Sequence, residues 1–164
     1  SMGVGTPLAV GAAAAARDMA EPGEAPRRVV LMTGDGSFGF YPAELHAAEE
    51  AKLPITVVIA NDGAWGSEYH EQQGAIGETV NTMMRFHDYE KIGEAFGCAG
   101  RRVDRESGLP DALRAAFESD RPTVINVITD REAGSEMRSD DLLRMLIFTD
   151  LQGGQTFLDT KDGD

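Results

Sequence analysis

Two short runs of branched apolar residues constrain this chain more than anything else in it: residues 28–33 (RVVLMT) and 53–60 (LPITVVIA), the first followed by glycine and Asp, the second by Asn and Asp. Their apolar side chains are continuous rather than alternating, which is the pattern of strands buried on both faces, and such strands belong to parallel sheets. Between them, residues 41–52 set Leu45 and Ala48 three apart among glutamates, with Pro42 suited to a first helical turn. Strand, helix and strand in that order make a βαβ unit with parallel strands and a right-handed crossover. Both strands then end at the same edge of the sheet.

The rest of the chain extends this alternation. An alanine-dominated stretch, residues 8–19, predicts a helix whose small side chains let it lie close against a sheet, and Pro22, Gly23 and Pro26 end it. Residues 61–82 are polar and glycine-bearing and predict a long functional loop with room for a short helix. Asp88 is placed to cap a helix carrying Tyr89, Ile92 and Phe96 on one face, with Gly97 at its stop. A third strand at 100–103, a helix at 110–118 and a fourth strand at 123–128 (TVINVI) complete the pattern of an α/β domain, a parallel sheet with helices on both faces. The domain is placed at residues 1–130, and residues 131–164 read as an acidic C-terminal tail with a short amphipathic helix at 140–147.

Size and charge narrow the function. At 164 residues the chain has the size of one domain. The single Cys98 cannot form an internal bridge, which fits a reducing cytoplasm and excludes a Cys-rich metal scaffold. The longest apolar runs, 8–16 and 53–60, are too short to span a bilayer, and no basic stretch precedes an apolar one at the N-terminus. The expectation is a cytoplasmic protein with no signal peptide and no membrane partner. With 15 Lys+Arg against 28 Asp+Glu the net charge is −13. That charge repels phosphate backbones, and no basic stripe offsets it, so nucleic acid is excluded as a partner.

The chemistry converges on one edge. Because the two strands run parallel, Asp35 just past the first and Asn61-Asp62 just past the second meet at the carboxyl end of the sheet, where ligands bind in such folds. Gly34, Gly36 and Gly63 let main chain approach a ligand closely. Oxygen-bearing side chains with close backbone suit a hard cation. Mg²⁺ takes one or two oxygens from protein and the rest from ligand phosphates and water, so a diphosphate is its natural bridging partner, with turn amides near Gly36 and Ser37 as donors.

At this point the residues resemble a known family. Gly34-Asp35-Gly36, followed after 25 residues by Asp62 directly behind Asn61, resembles the cofactor signature of thiamine diphosphate-dependent enzymes in their C-terminal, diphosphate-binding domain. Met2-Gly3-Val4-Gly5 with Pro7 is similar to the segment that contacts the aminopyrimidine ring. Glu44, Leu53-Pro54, Trp65-Gly66 and residues 89–97 (YEKIGEAFG) fall where the family's final domain has like residues. The likeness covers residues 1–130 and is nearest to the acetolactate synthase, benzaldehyde lyase and oxalyl-CoA decarboxylase group.

The resemblance implies that Asp35 and Asp62 bind Mg²⁺ through side-chain oxygens, with the Ala64 carbonyl as a third protein ligand. It implies that Gly36 and Ser37 hold the diphosphate, with Met2, Gly34, Asn61 and Trp65 completing the cofactor-binding set. The family most often has Asn where this chain has Asp62; Asp keeps the oxygen, and Asn61 is the fallback ligand. It further implies an enzyme that makes or breaks the carbon–carbon bond next to a 2-oxo group, acetolactate synthase-like, with a 2-oxo acid decarboxylase or C–C lyase as the alternative. The glutamate that activates the cofactor in this family sits in a separate pyrimidine-binding domain, usually of another subunit, and this chain has no room for it. The expected partners are therefore that domain, a small 2-oxo acid and further subunits of an oligomer. Two rivals from other classes stand beside this reading: a non-catalytic thiamine diphosphate-binding or regulatory module, and an ordinary α/β phosphate-binding domain. His70 reads as an exposed loop histidine rather than a proton shuttle. His46 and His87 read as structural, and Trp65 either lines the crevice or anchors the loop.

Overall fold

The computed structural model describes residues 2–136. Four parallel strands, β1 (Val30–Gly34), β2 (Thr56–Asn61), β3 (Ala99–Val103) and β4 (Thr123–Ile128), form one sheet in the order β1-β2-β4-β3. Six helices surround it: α1 (Gly5–Asp18), α2 (Asp35–Phe38), α3 (Glu44–Glu50), α4 (Gly66–Ile76), α5 (Tyr89–Ala95) and α6 (Leu109–Glu118). The expected fold, a parallel sheet with helices on both faces, is the one observed.

The period of two along the strands decides what each face carries. Val57 and Ile59 of β2 and Val124 of β4 pack with Ala9 and Ala13 of α1, Leu45 and Ala48 of α3, and Tyr89 of α5. Val58 and Ile125 point the other way, against Ala112 and Ala116 of α6. Alanines on α1 permit the close approach that the sequence implied. Burial of both faces of β2 is why its sequence is continuously apolar.

Boundaries differ from the expectations where local chemistry intervenes. β1 starts at Val30 because Arg28 reaches out to the Ser119 carbonyl, 2.6 Å away. β2 starts at Thr56, since Leu53 and Ile55 are held in a tight turn about Pro54, the Ile55 N–H donating to the Leu53 carbonyl. Directly after β1, where a glycine turn was expected, residues 35–38 form one helical turn. Eleven residues of the expected loop form α4, which ends at Gly77 in the left-handed conformation at φ 75°. The helix expected at 140–147 lies outside the described residues. Residues 131–136, assigned to the tail, form a 3₁₀ segment packed against α4. Among the described residues no helix is long and apolar enough to cross a membrane.

Candidate functional site

Pairing of Gly34 with Ala60 at the ends of β1 and β2 brings the residues that follow, Asp35 and the turn 61–64, side by side. Asp35 is buried. Its Oδ1 accepts from the Gly36 N–H at 2.9 Å, and its Oδ2 accepts from the Gly63 N–H at 3.1 Å. Asp62 folds back so that its Oδ1 accepts from the Ala64 N–H at 3.0 Å. The turn needs Gly63, whose φ of 64° is costly for any residue with a Cβ. Burial first, and then the nearby charge of Asp62, push the Asp35 carboxyl up from 3.8 to about 6, against the pull of the Gly36 and Gly63 amides.

These carboxylates face a cavity of about 400 Å³. Met2, Gly34, Asp35, Gly36, Ser37, Asp62, Ala64 and Trp65 all line it. Asn61 does not: it is fully buried beneath the turn, with its Nδ2 donating inward to the His87 carbonyl and to Asn126 Oδ1, each at 3.0 Å. The Gly3 N–H donates to Ser37 Oγ at 2.9 Å and so ties the N-terminal segment to the cavity wall. A Cβ on Gly36 would lie 2.8 Å from the Trp65 ring, so that glycine is what allows indole and backbone to meet. Trp65 also stands edge-on to Phe40, ring centroids 5.7 Å apart, and separates the main cavity from a smaller one of about 250 Å³ lined by Phe40, Met84 and Tyr89.

The far wall is the part that sequence reasoning missed. Because β4 lies beside β2, its carboxyl end brings Thr129, Asp130 and Arg131 to the same edge. Arg131 donates from Nε to the Asp62 carbonyl and from Nη2 to the Gly63 carbonyl, each at 3.0 Å. Its guanidinium lies between Tyr69 and Phe86, 5.7 and 5.6 Å from the ring centroids. His70 belongs to α4 and lines the cavity, its Nε2–H donating to the Arg131 carbonyl at 2.9 Å. Strand order was the missing signal: three polar residues after a strand mean little until that strand is known to be β2's neighbour.

Among the described residues, no Lys or Arg forms a salt bridge with Asp35 or Asp62, and no group of three or more His, Cys, Asp or Glu side chains that could hold a metal gathers anywhere, this cavity included. Two unpaired carboxylates at a roomy cavity therefore fit a hard divalent cation that completes its shell with phosphate and water oxygens. Gly34 leaves open space beside them, a Cβ there meeting nothing within 4 Å.

Comparison with known proteins agrees with this arrangement. Residues 1–127 match the family model described as thiamine pyrophosphate enzyme, C-terminal TPP binding domain. The chain is 32% identical over 142 residues to the acetolactate synthase of Bacillus subtilis, covering 87% of this chain and 24% of that protein. It is 32% identical over 136 residues to the oxalyl-CoA decarboxylase of Escherichia coli K12, covering 82% and 22%. Among solved structures, the thiamine diphosphate-dependent 4-hydroxybenzoylformate decarboxylase of Rhodococcus jostii RHA1 superposes with a TM-score of 0.70 at 30% identity, covering 79% of this chain and 23% of that one. The chain thus spans between a fifth and a quarter of the length of such relatives.

Proposed function

The chain belongs to the thiamine pyrophosphate enzyme family, as its C-terminal cofactor-binding domain, and from that premise we propose that its carboxyl-edge cavity holds Mg²⁺ and the diphosphate of thiamine diphosphate. The observation that carries this reading is the pair Asp35 and Asp62, brought to one cavity where, among the described residues, neither carboxylate has a salt-bridge partner and Arg131 is engaged with the main-chain carbonyls of the turn. Asp35 and Asp62 supply side-chain oxygens to the metal, and the Ala64 carbonyl is the third protein ligand. Gly36 and Ser37 flank the diphosphate. Met2, on the lining of the same cavity, stands where the aminopyrimidine would lie, and Trp65 shapes the wall. When bound, the cofactor supplies a carbon nucleophile toward the carbonyl of a 2-oxo substrate. The protein's share is to orient and neutralise. Arg131 braces the ligand turn through two carbonyls, and α4 screens the cavity from bulk water.

The reading extends to a 2-oxo acid enzyme of acetolactate synthase type, with a decarboxylase or C–C lyase as the second reading, because relatives of both kinds match over most of this chain. The partner that completes it is a pyrimidine-binding domain carrying the activating glutamate, within an oligomer. Calorimetric titration with thiamine diphosphate tests the site. Binding is expected to need a divalent cation and to vanish with EDTA or in Asp35→Ala; equal affinity in either condition would sink the proposal.

A further inference from the structure

Three polar residues lie inside the sheet's best-packed face without touching the cavity: Asn61 at the end of β2, Asn126 in the middle of β4 and Glu90 in the first turn of α5, all buried. Apolar neighbours surround them, so each costs free energy unless its polar atoms are bonded. They are bonded, and in one direction. The Gly63 N–H, shared with Asp35, donates to Asn61 Oδ1 at 3.3 Å. Asn61 Nδ2 donates to Asn126 Oδ1 at 3.0 Å, and Asn126 Nδ2 donates to Glu90 Oε2 at 2.7 Å. Both side-chain amides also donate to the His87 carbonyl at 3.0 Å.

The direction has a cause. Glu90 Oε2 and the His87 carbonyl both accept from Asn126 Nδ2, which leaves Asn126 Oδ1 toward β2. That oxygen in turn draws Asn61 Nδ2 inward and leaves Asn61 Oδ1 facing the Gly63 amide. A series of bonds aligned in this way is mutually strengthening. We infer that Glu90 and Asn126 are positioning residues which, through Asn61, hold the turn 61–64 in the shape that presents the Asp62 carboxylate to the cavity and turns the Gly63 amide to Asp35. The inference rests on the reading of that cavity as the Mg²⁺ and diphosphate site. Groups that orient a metal ligand without touching the metal typically change metal affinity by about 10- to 100-fold when removed.

The test uses the full chain and its single tryptophan, Trp65, as the reporter, since that ring lines the cavity. Thiamine diphosphate is held at saturation and Mg²⁺ is titrated while Trp65 fluorescence and the melting temperature are read. Glu90→Leu removes the acceptor and is expected to raise the half-saturating Mg²⁺ concentration about tenfold. Glu90→Gln can turn its amide oxygen to Asn126 and is expected to stay within about twofold of the parent. A merely structural role would lower both melting temperatures and leave both Mg²⁺ midpoints unmoved, and that outcome overturns the inference. Should Glu90→Leu fail to fold, Asn126→Ser breaks the same series at its middle and is held to the same tenfold shift. Asp35→Ala, which removes the ligand oxygen, separates the two failures: if it still binds with Mg²⁺ the site reading is wrong, whereas its loss of binding beside an unchanged Glu90→Leu refutes the positioning role alone.

Discussion

At the scale of single residues, the balance of the site lies between two carboxylates that oppose one another. Asp35 has its carboxyl raised from 3.8 to about 6 by burial and by Asp62. Between those values the folded chain holds a proton that the unfolded chain has released, so the contribution of Asp35 to the stability of the metal-free protein is fully present below about pH 4 and is lost as the pH rises toward 6. The decline from this one group is at most about 3 kcal/mol. Melting temperatures measured with EDTA from pH 4 to 7 should therefore fall more steeply in the parent than in Asp35→Asn; parallel curves would refute the assignment. Mg²⁺ competes with that proton, so its binding should strengthen as the pH rises through 6. Asp62 has a gentler substitution available. Asp62→Asn keeps the oxygen that accepts from the Ala64 amide and removes the repulsion, and is expected to retain cofactor binding, whereas Asp62→Ala loses turn and ligand together. Equal binding by the two variants in the same titration would move the ligand role away from this side chain.

At the scale of elements, what was legible in the sequence is what tertiary burial had written into it. β2 is apolar on both faces because α1, α3 and α5 cover one and α6 the other, and β4 (Thr123–Ile128) was placed to the residue for the same reason. The carboxylate pair was legible too, since parallel strands must deliver Asp35 and Asp62 to one edge. By contrast α4 has no buried residue, so it carries no apolar periodicity and reads as loop. Its hold on the domain is polar and comes from residues far along the chain: Tyr69 donates to Glu132 at 2.9 Å, His70 to the Arg131 carbonyl, and Arg131 reaches the turn. Nothing local in the sequence announces such contacts. They predict that Arg131→Leu frees the Asp62 carbonyl and loosens α4 together with the turn, at a cost of about 1–3 kcal/mol. Hydrogen exchange should rise across residues 63–76 while β2 and β4 stay protected. Arg131→Lys should not restore protection, because a single ammonium cannot span both carbonyls; unchanged exchange in Arg131→Leu would show that the brace is idle.

At the scale of the whole molecule, the cavity is lined by the start of α4, by Arg131 and, from the N-terminal segment, by Met2. Met2, Leu8, Phe40 and Tyr41 are each about half exposed or more, and of these Phe40 lies against Tyr41, Trp65 and the Gly3 backbone, an exposed apolar rim beside Met2. Contiguous apolar surface beside a binding cavity is what a second protein surface covers. A chain spanning between a fifth and a quarter of its relatives leaves ample sequence to supply one. Cofactor bound by this domain alone would be gripped at its charged end and wet at its reactive end. We therefore expect the isolated chain to release no carbon dioxide from pyruvate at saturating Mg²⁺ and thiamine diphosphate, and to gain turnover when mixed with a pyrimidine-binding domain that carries the activating glutamate. The rim makes the same expectation mechanical: Phe40→Asp, placed where the partner would seat, should weaken that gain by reducing association while leaving Mg²⁺-dependent binding to the isolated chain intact. Turnover by the monomeric chain would require an activating group among the residues of this chain, and would overturn the division of labour between two domains.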